Sequence, residues 1–206
     1  MKLFAALASP FVRKVRIVAM ECGLADRIDL QVLATAPHQP DAALAAANPV
    51  KKIPTLVTDD GAVLYDSGVI TDYLNAESGH RLVPESGAAR WTAKRQEALA
   101  DGLLDAAVLC RYETFVRPEE KQWDGWIDAQ MGKIDGALEQ MNAEVPDLGD
   151  PAAAETGLGA IGFGCALGYL DFRFPDRDWR GGRGALADWY AAYARRPAMQ
   201  ATVPSG

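Results

Sequence analysis

The chain has 206 residues, 49% of them hydrophobic and 24% charged, with a formal net charge of -7. That hydrophobic content can bury a core in one large domain or two small ones, while the acidic balance argues against a nucleic-acid binder, which needs a clustered basic surface. Three cysteines, Cys22, Cys110 and Cys165, lie far apart with no CxxC pair, which suggests neither a disulfide framework nor a dithiol redox centre and suits a reducing interior such as the cytoplasm.

Taken in order, residues 2–6 read as a short buried strand. The apolar run from Leu3 to Ala8 is six residues long, below the ~7 to 15 of a secretory h-region. Ser9-Pro10 then supplies an N-cap followed by proline at the first helical position. In the helix that this predicts, Val12, Val15, Val18, Ala19 and Cys22 share one face, Arg13, Lys14 and Arg16 lie off it, and Gly23 is the stop. A second strand over 28–33 completes a βαβ unit, which implies a parallel pair. After an irregular segment with Pro37, His38 and Pro40, a short alanine-rich helix is expected over 41–47. Two strands, 55–58 and 62–64, flank Asp59-Asp60-Gly61 as a hairpin. Val69, Ile70, Tyr73 and Leu74 then form the stripe of a third helix ending near Ser78-Gly79.

Around residues 80–85 the alternation of strand and helix gives way to helix alone, with Pro84 and Gly87 as punctuation, and the domain boundary is expected there. A long helix is predicted over 88–116, ended by Arg117-Pro118. A second carries Trp123, Ile127, Met131, Ile134, Leu138 and Met141 as its apolar stripe. Residues 142–155 read as a loop. The helix after it contains Gly159, Gly162, Gly164 and Gly168, which cost helix propensity but permit close approach of neighbours, and it is read as the central buried helix. A last helix is expected over 185–194. No apolar run approaches the ~18 residues of a membrane span.

The stretch from Asn48 to Ser67 gathers the features that point to a ligand. Proline directly before a strand belongs at the strand's first residue, and X-Pro is the peptide bond whose cis form is accessible. A cis Ile53-Pro54 is expected, with the Ile53 N–H and C=O left outward to pair with an extended peptide. Asp66-Ser67 opens the third helix, whose first-turn amides offer a carboxylate a positive site; an ordinary helix cap explains the same pair. Gly157-Leu158-Gly159-Ala160-Ile161-Gly162 matches G-x-G-x-x-G but follows a loop rather than a strand, so dinucleotide binding is discounted.

Together, Ser9-Pro10-Phe11, Asn48-Pro49, Lys52-Ile53-Pro54-Thr55-Leu56, Asp66-Ser67, the helix from Gly164 to Phe172 and the Arg196-Pro197 end resemble a cytosolic glutathione transferase of bacterial type, over essentially the whole length. The resemblance implies an α/β, thioredoxin-like, glutathione-binding domain over residues 1–79, βαβ then ββα. It implies a linker over 80–86 and an all-α domain over 87–206 that supplies much of the electrophile pocket. Ser9 would be the catalytic group, donating a hydrogen bond to the glutathione thiolate rather than acting as nucleophile. Ile53 beside Pro54 would pair with the cysteinyl backbone, Asp66 with the γ-glutamyl ammonium, and Ser67 with the γ-glutamyl carboxylate.

Lys52 and His38 are the candidates for the glycyl carboxylate, with Gln39 and Lys51 nearby. Phe11, Arg111, Tyr112, Phe115 and Trp123 are candidates for the electrophile pocket. The resemblance implies no metal and no permanently bound cofactor; glutathione is a co-substrate. Its partners would be a small hydrophobic electrophile and a second copy in a homodimer, with no nucleic acid and no membrane. Two other readings stay open: a non-catalytic binding or regulatory protein of the same fold, and a glutathione-dependent isomerase. The chain departs from the pattern twice. Where relatives use tyrosine or cysteine it offers Ala5, Ala6, Ala8 and Ser9, which disfavours turnover through a protein thiol. Where relatives cap the central helix with a Ser/Thr-x-x-Asp box it has Gly157 and Ala160, leaving Thr156 as the candidate cap.

Overall fold

A computed structural model describes residues Met1–Gly206. By packing the chain divides into two units, Met1–Thr92 joined by Pro197–Gly206, and Ala93–Arg196. The first is built on a four-stranded sheet of order β2-β1-β3-β4, with β1 over Lys2–Ala5, β2 over Asp29–Val32, β3 over Thr55–Val57 and β4 over Val63–Leu64. β1 and β2 are parallel, and β3 is antiparallel to both β1 and β4. The parallel pair is the βαβ unit legible in the sequence, and the β3–β4 hairpin turns where Gly61 takes φ 87°, a conformation open to glycine.

Helix α1 (Pro10–Glu21) starts at Ser9, helix α2 (Ala42–Ala47) at Asp41 and helix α3 (Ser67–Glu77) at Asp66, each of these caps accepting a first-turn amide. α1 departs from the expected one-sided burial. Arg13 is 5% exposed and Lys14 is fully buried. The Arg13 guanidinium explains its own burial: Nη2 donates to the Met199 carbonyl at 3.1 Å and Nε to the Thr202 hydroxyl at 3.4 Å. Those acceptors lie in and after a last short helix, α8 (Pro197–Ala201), which the sequence pattern did not announce. The tail thus packs with the α/β unit.

Beyond the first unit the chain is helical. Helix α4 spans Ala88–Phe115, α5 Asp124–Glu144, α6 Leu158–Arg173 and α7 Gly184–Tyr193. Every residue from Leu158 to Leu170 is buried, which makes α6 the core helix. Its glycines act through close approach: a Cβ at Gly159 would overlap Oε1 of Gln96 and lie 2.8 Å from its Cβ, and one at Gly162 would lie 3.0 Å from the Ala100 Cβ. α5 buries only the later part of its expected stripe, Ile134, Leu138 and Met141, while Trp123 is 67% exposed. Thr156 does not cap α6. The N-cap is Gly157, without a side-chain bond, and the Thr156 hydroxyl pairs instead with the Tyr193 hydroxyl at 3.0 Å.

Candidate functional site

Strand direction brings the candidates of the first unit to one end of the sheet. β1 runs into the Ala6–Ser9 turn, β3 starts from Ile53-Pro54 antiparallel to it, and β4 runs into Asp66-Ser67 antiparallel to β3. Extending these registers past the paired residues puts Pro54 opposite both Ala5 and Asp66, and Ile53 opposite Ala6. β2, parallel to β1, releases the segment carrying His38 at the same end.

Ser9 is the N-cap of α1, with extended backbone and a partly buried side chain. Its Oγ accepts from the Val12 amide at 3.3 Å, so the hydroxyl proton is free to be donated elsewhere. Pro10 has no N–H, and the remaining orphan donors of the first turn point the same way as the cap.

The Ile53–Pro54 bond is cis, as expected, and the Tyr65–Asp66 bond is cis as well. Neither the N–H nor the C=O of Ile53 hydrogen-bonds to another protein group. What holds the segment before it is Asn48, a residue whose role the sequence reading missed. Fully buried, Asn48 donates Nδ2 to the Lys52 carbonyl at 3.1 Å and to the Thr55 hydroxyl at 2.8 Å, while its Oδ1 accepts from the Val50 amide at 3.0 Å. The Thr55 hydroxyl in turn donates to the Lys52 carbonyl at 2.8 Å. Residues on both sides of Ile53 are thereby tied to one amide group. Only an Asn-Pro dipeptide before a turn signals this in the sequence.

Asp66 accepts the Gly68 amide at 3.0 Å through Oδ1, which leaves Oδ2 open. Ser67 is 4% exposed and its hydroxyl has no partner in the protein. Lys51 and Lys52 are exposed, and Lys51 takes φ 54°. His38 is exposed at the tip of a two-residue turn closed by backbone bonds between Ala36 and Gln39. No contact joins His38 to Lys52.

In the second unit, Arg111, Tyr112 and Phe115 occupy the last turn of α4. The Arg111 guanidinium lies 3.8 Å from the Phe115 ring centroid, and Tyr112 is 41% exposed. Burial pushes the Tyr112 hydroxyl pKa up. Burial does the same to Tyr169 on α6, where the nearby Arg173 and Arg111 charges oppose the rise and Tyr112 adds to it. An open groove of about 630 Å³ is lined by Met131, Arg173, Phe174, Pro175, Asp176, Arg177 and Asp178; it holds none of the sequence candidates.

All three cysteines are buried, and burial raises the thiol pKa of Cys22 and Cys110. A raised thiol is a poor nucleophile near neutral pH, so neither is suited to thiolate chemistry. No group of three or more His, Cys, Asp or Glu side chains is placed to hold a metal ion, and no helix is long and apolar enough to cross a membrane.

Comparison with known proteins bears on this geometry. A glutathione S-transferase N-terminal domain model matches residues 8–77, and the corresponding C-terminal domain model matches residues 124–192. A glutathione transferase family member from Pseudomonas fluorescens Pf-5, solved with bound glutathione, is 46% identical, covers 100% of this chain and 99% of its own, and superposes with a TM-score of 0.93. A second structure from that organism holds S-(propanoic acid)-glutathione, with 45% identity, 99% of both chains covered and a TM-score of 0.89. The uncharacterized GST-like protein YibF of Escherichia coli (strain K12) is 32% identical over 180 residues, 87% of this chain and 86% of that one.

Proposed function

The chain belongs to the glutathione S-transferase family, and from that premise we propose that it is a working glutathione transferase whose thiolate is stabilised by Ser9. The observation that carries this reading is the convergence at one sheet end of three groups. These are a helix cap with a free hydroxyl proton, an Ile53 peptide with no internal partner, and the Asp66-Ser67 helix start. Relatives 46% and 45% identical, solved with glutathione and with a glutathione conjugate, support the same ligand.

In this mechanism the cysteinyl backbone of glutathione pairs with the Ile53 N–H and C=O as an added strand. Its γ-glutamyl carboxylate takes the Ser67 hydroxyl and amide, because the Gly68 amide is already engaged by Asp66. The γ-glutamyl ammonium meets the open Oδ2 of Asp66, and Lys52 or His38 takes the glycyl carboxylate. Bringing a thiol of reference pKa ~8.5 to thiolate near pH 7 requires about 1.4 to 2.7 kcal/mol of preferential stabilisation. A hydroxyl donor together with a helix N-terminus is of the size to supply it. The thiolate then attacks an electrophilic carbon, the C–S bond forming as the leaving group departs with its electron pair. We further propose a cytoplasmic homodimer, checked by light scattering and cell fractionation.

Calorimetry with glutathione and conjugation kinetics test the reading. Ser9→Ala should leave glutathione binding within a few-fold and reduce kcat/KM by roughly 10- to 100-fold, the loss of one preorganised donor. Its pH–rate profile should shift to higher pH. Full activity in Ser9→Ala removes Ser9 from the mechanism, and absence of binding at millimolar glutathione would leave a non-catalytic relative of the family.

A further inference from the structure

Ser9 heads α1, and Arg13 stands one turn along the same helix face, its amide donating to the Ser9 carbonyl at 3.0 Å. The Arg13 guanidinium donates to the Met199 carbonyl at 3.1 Å and to the Thr202 hydroxyl at 3.4 Å, and Arg16 Nη2 donates to the Ala201 carbonyl at 3.4 Å. α8 has only five residues, so its last carbonyls find no partner within the helix. Two guanidiniums at its C-terminal end satisfy two of them and complement the helix dipole. Arg13 and Arg16 therefore clamp α8 and fix the direction in which the chain leaves it.

The chain that leaves α8 returns to Ser9. Residues 203–206 are irregular and make no hydrogen bond, and Val203 is 58% exposed. Yet a Cβ built on Gly206 would lie 3.8 Å from the Ala8 Cβ, which is ordinary van der Waals contact. From the level of Arg13 back to Ala8 is about 7 to 8 Å along α1 at ~1.5 Å per residue. Four residues span up to about 13 Å, so the segment can lie along the first turn of α1 without being stretched. Ala8 precedes Ser9 in a turn closed by the Ser9 amide on the Ala6 carbonyl at 3.0 Å, and neither Leu7 nor Ala8 makes a hydrogen bond. The tip of the turn that carries Ser9 is thus braced by packing, and residue 206 supplies part of it.

We infer that residues 203–206, laid in place by Arg13 and Arg16, form a strap that braces the Ala6–Ser9 turn and sets the Ser9 hydroxyl against the glutathione sulfur. Arg13 is then a positioning residue that acts on the thiolate through the strap. The role rests on the transferase reading, because it works only through Ser9. A hydroxyl slightly out of line still caps a helix but is a poorer donor to a thiolate. The strap therefore governs ionisation of the thiol, while capture of the tripeptide falls to Ile53, Asp66 and Ser67.

Two variants separate strap from clamp. Deletion of residues 203–206 leaves every bond of Arg13 in place, and Arg13→Met keeps an unbranched apolar stem without the donors. Each is titrated with glutathione by calorimetry, the ultraviolet absorbance of the bound thiolate is followed against pH, and conjugation is timed with chlorodinitrobenzene. Glutathione affinity should stay within about twofold. The thiolate fraction at neutral pH should fall by about threefold and kcat/KM by about three- to tenfold, less than on loss of the Ser9 hydroxyl itself, with the pH–rate profile displaced to higher pH. Arg13→Lys, which keeps the charge but not the fork, should recover part of what Arg13→Met loses. In a Ser9→Ala background the deletion should have no further effect, because no hydroxyl is left to place. Circular dichroism checks that the variants fold, and if Arg13→Met does not, the deletion decides alone.

A deletion variant with the thiolate titration and kinetics of the unmodified protein overturns the strap and leaves the transferase reading standing. A loss that persists undiminished in the Ser9→Ala background, or that falls equally on glutathione affinity, makes the segment a structural support and also overturns it. If the unmodified protein binds no glutathione, the transferase reading fails and the strap goes with it.

Discussion

Replacing Asn48 by alanine should loosen the segment that presents Ile53, and the size of the effect follows from the bonds removed. The side chain is fully buried and makes three hydrogen bonds, two donated and one accepted. At about 1 kcal/mol net each they amount to about 3 kcal/mol. The Val50 amide belongs to a residue 57% exposed and regains water, and the Lys52 carbonyl keeps the Thr55 hydroxyl at 2.8 Å. The expected loss is therefore about 2 kcal/mol, which for a chain of this size is about 4 to 8 °C in melting temperature. Asn48 has no direct role in holding glutathione in the proposed mechanism, yet the affinity should fall several-fold because residues 52 and 55, on either side of Ile53, lose their common tie. Scanning calorimetry and glutathione titration read the two effects. A double-mutant cycle with Thr55→Val should return a coupling of about 1 kcal/mol. A variant that melts within about 1 °C of wild type and binds glutathione unchanged would refute the assignment of Asn48 as the organiser of this segment.

Other consequences can be measured in parallel. Burial pushes the Glu144 carboxyl upward, but hydrogen bonds from Arg95 and Gln140 outweigh it and hold the pKa below the ordinary glutamate value. A depressed carboxylate contributes stability above the unfolded-state pKa and loses it as the pH falls through the folded one. Glu144→Gln should therefore be less stable than wild type at neutral pH and should show a shallower loss on acidification, which denaturant titration across that range would reveal; parallel curves would contradict the assignment. Gly159→Ala should destabilise by about 1 to 3 kcal/mol, because the new methyl meets both Oε1 and Cβ of Gln96. If Gly159→Ala with Gln96→Ala, which removes Oε1 but keeps Cβ, is no more stable than Gly159→Ala alone, the overlap with Oε1 is not the cause.

The first unit was legible in the sequence because its signals are local. Ser9-Pro10, Asp41 and Asp66 each cap the helix they precede, and Gly61 turns the hairpin where Asp59-Asp60-Gly61 predicted it. What could not be read depends on neighbours remote in sequence. The α1 pattern placed Arg13 on an open face, yet Arg13 is covered because Met199 and Thr202 supply acceptors from almost the other end of the chain. The α5 stripe suggested continuous burial, but periodicity does not say how far a partner helix extends, and Trp123 stays exposed. Of the candidate site, Ser9, Ile53 and Asp66 announced themselves through cap and turn chemistry. Asn48 was visible only as half of a common dipeptide.

The ends of the later helices carry a consequence for how the second unit holds together. α5, α6 and α7 have no side-chain cap of their own. The Trp123 amide at the start of α5 donates to the Glu113 carboxylate of α4 at 3.0 Å, and the Leu186 amide near the start of α7 donates to Asn142 of α5 at 3.1 Å. Excised as peptides, α5 and α7 would lose these terminations together with their packing and would hold little helix. In the intact protein their first turns open only when the neighbouring helix gives way, so their amides should exchange with solvent as one cooperative block. The self-capped helices of the first unit can fray one at a time.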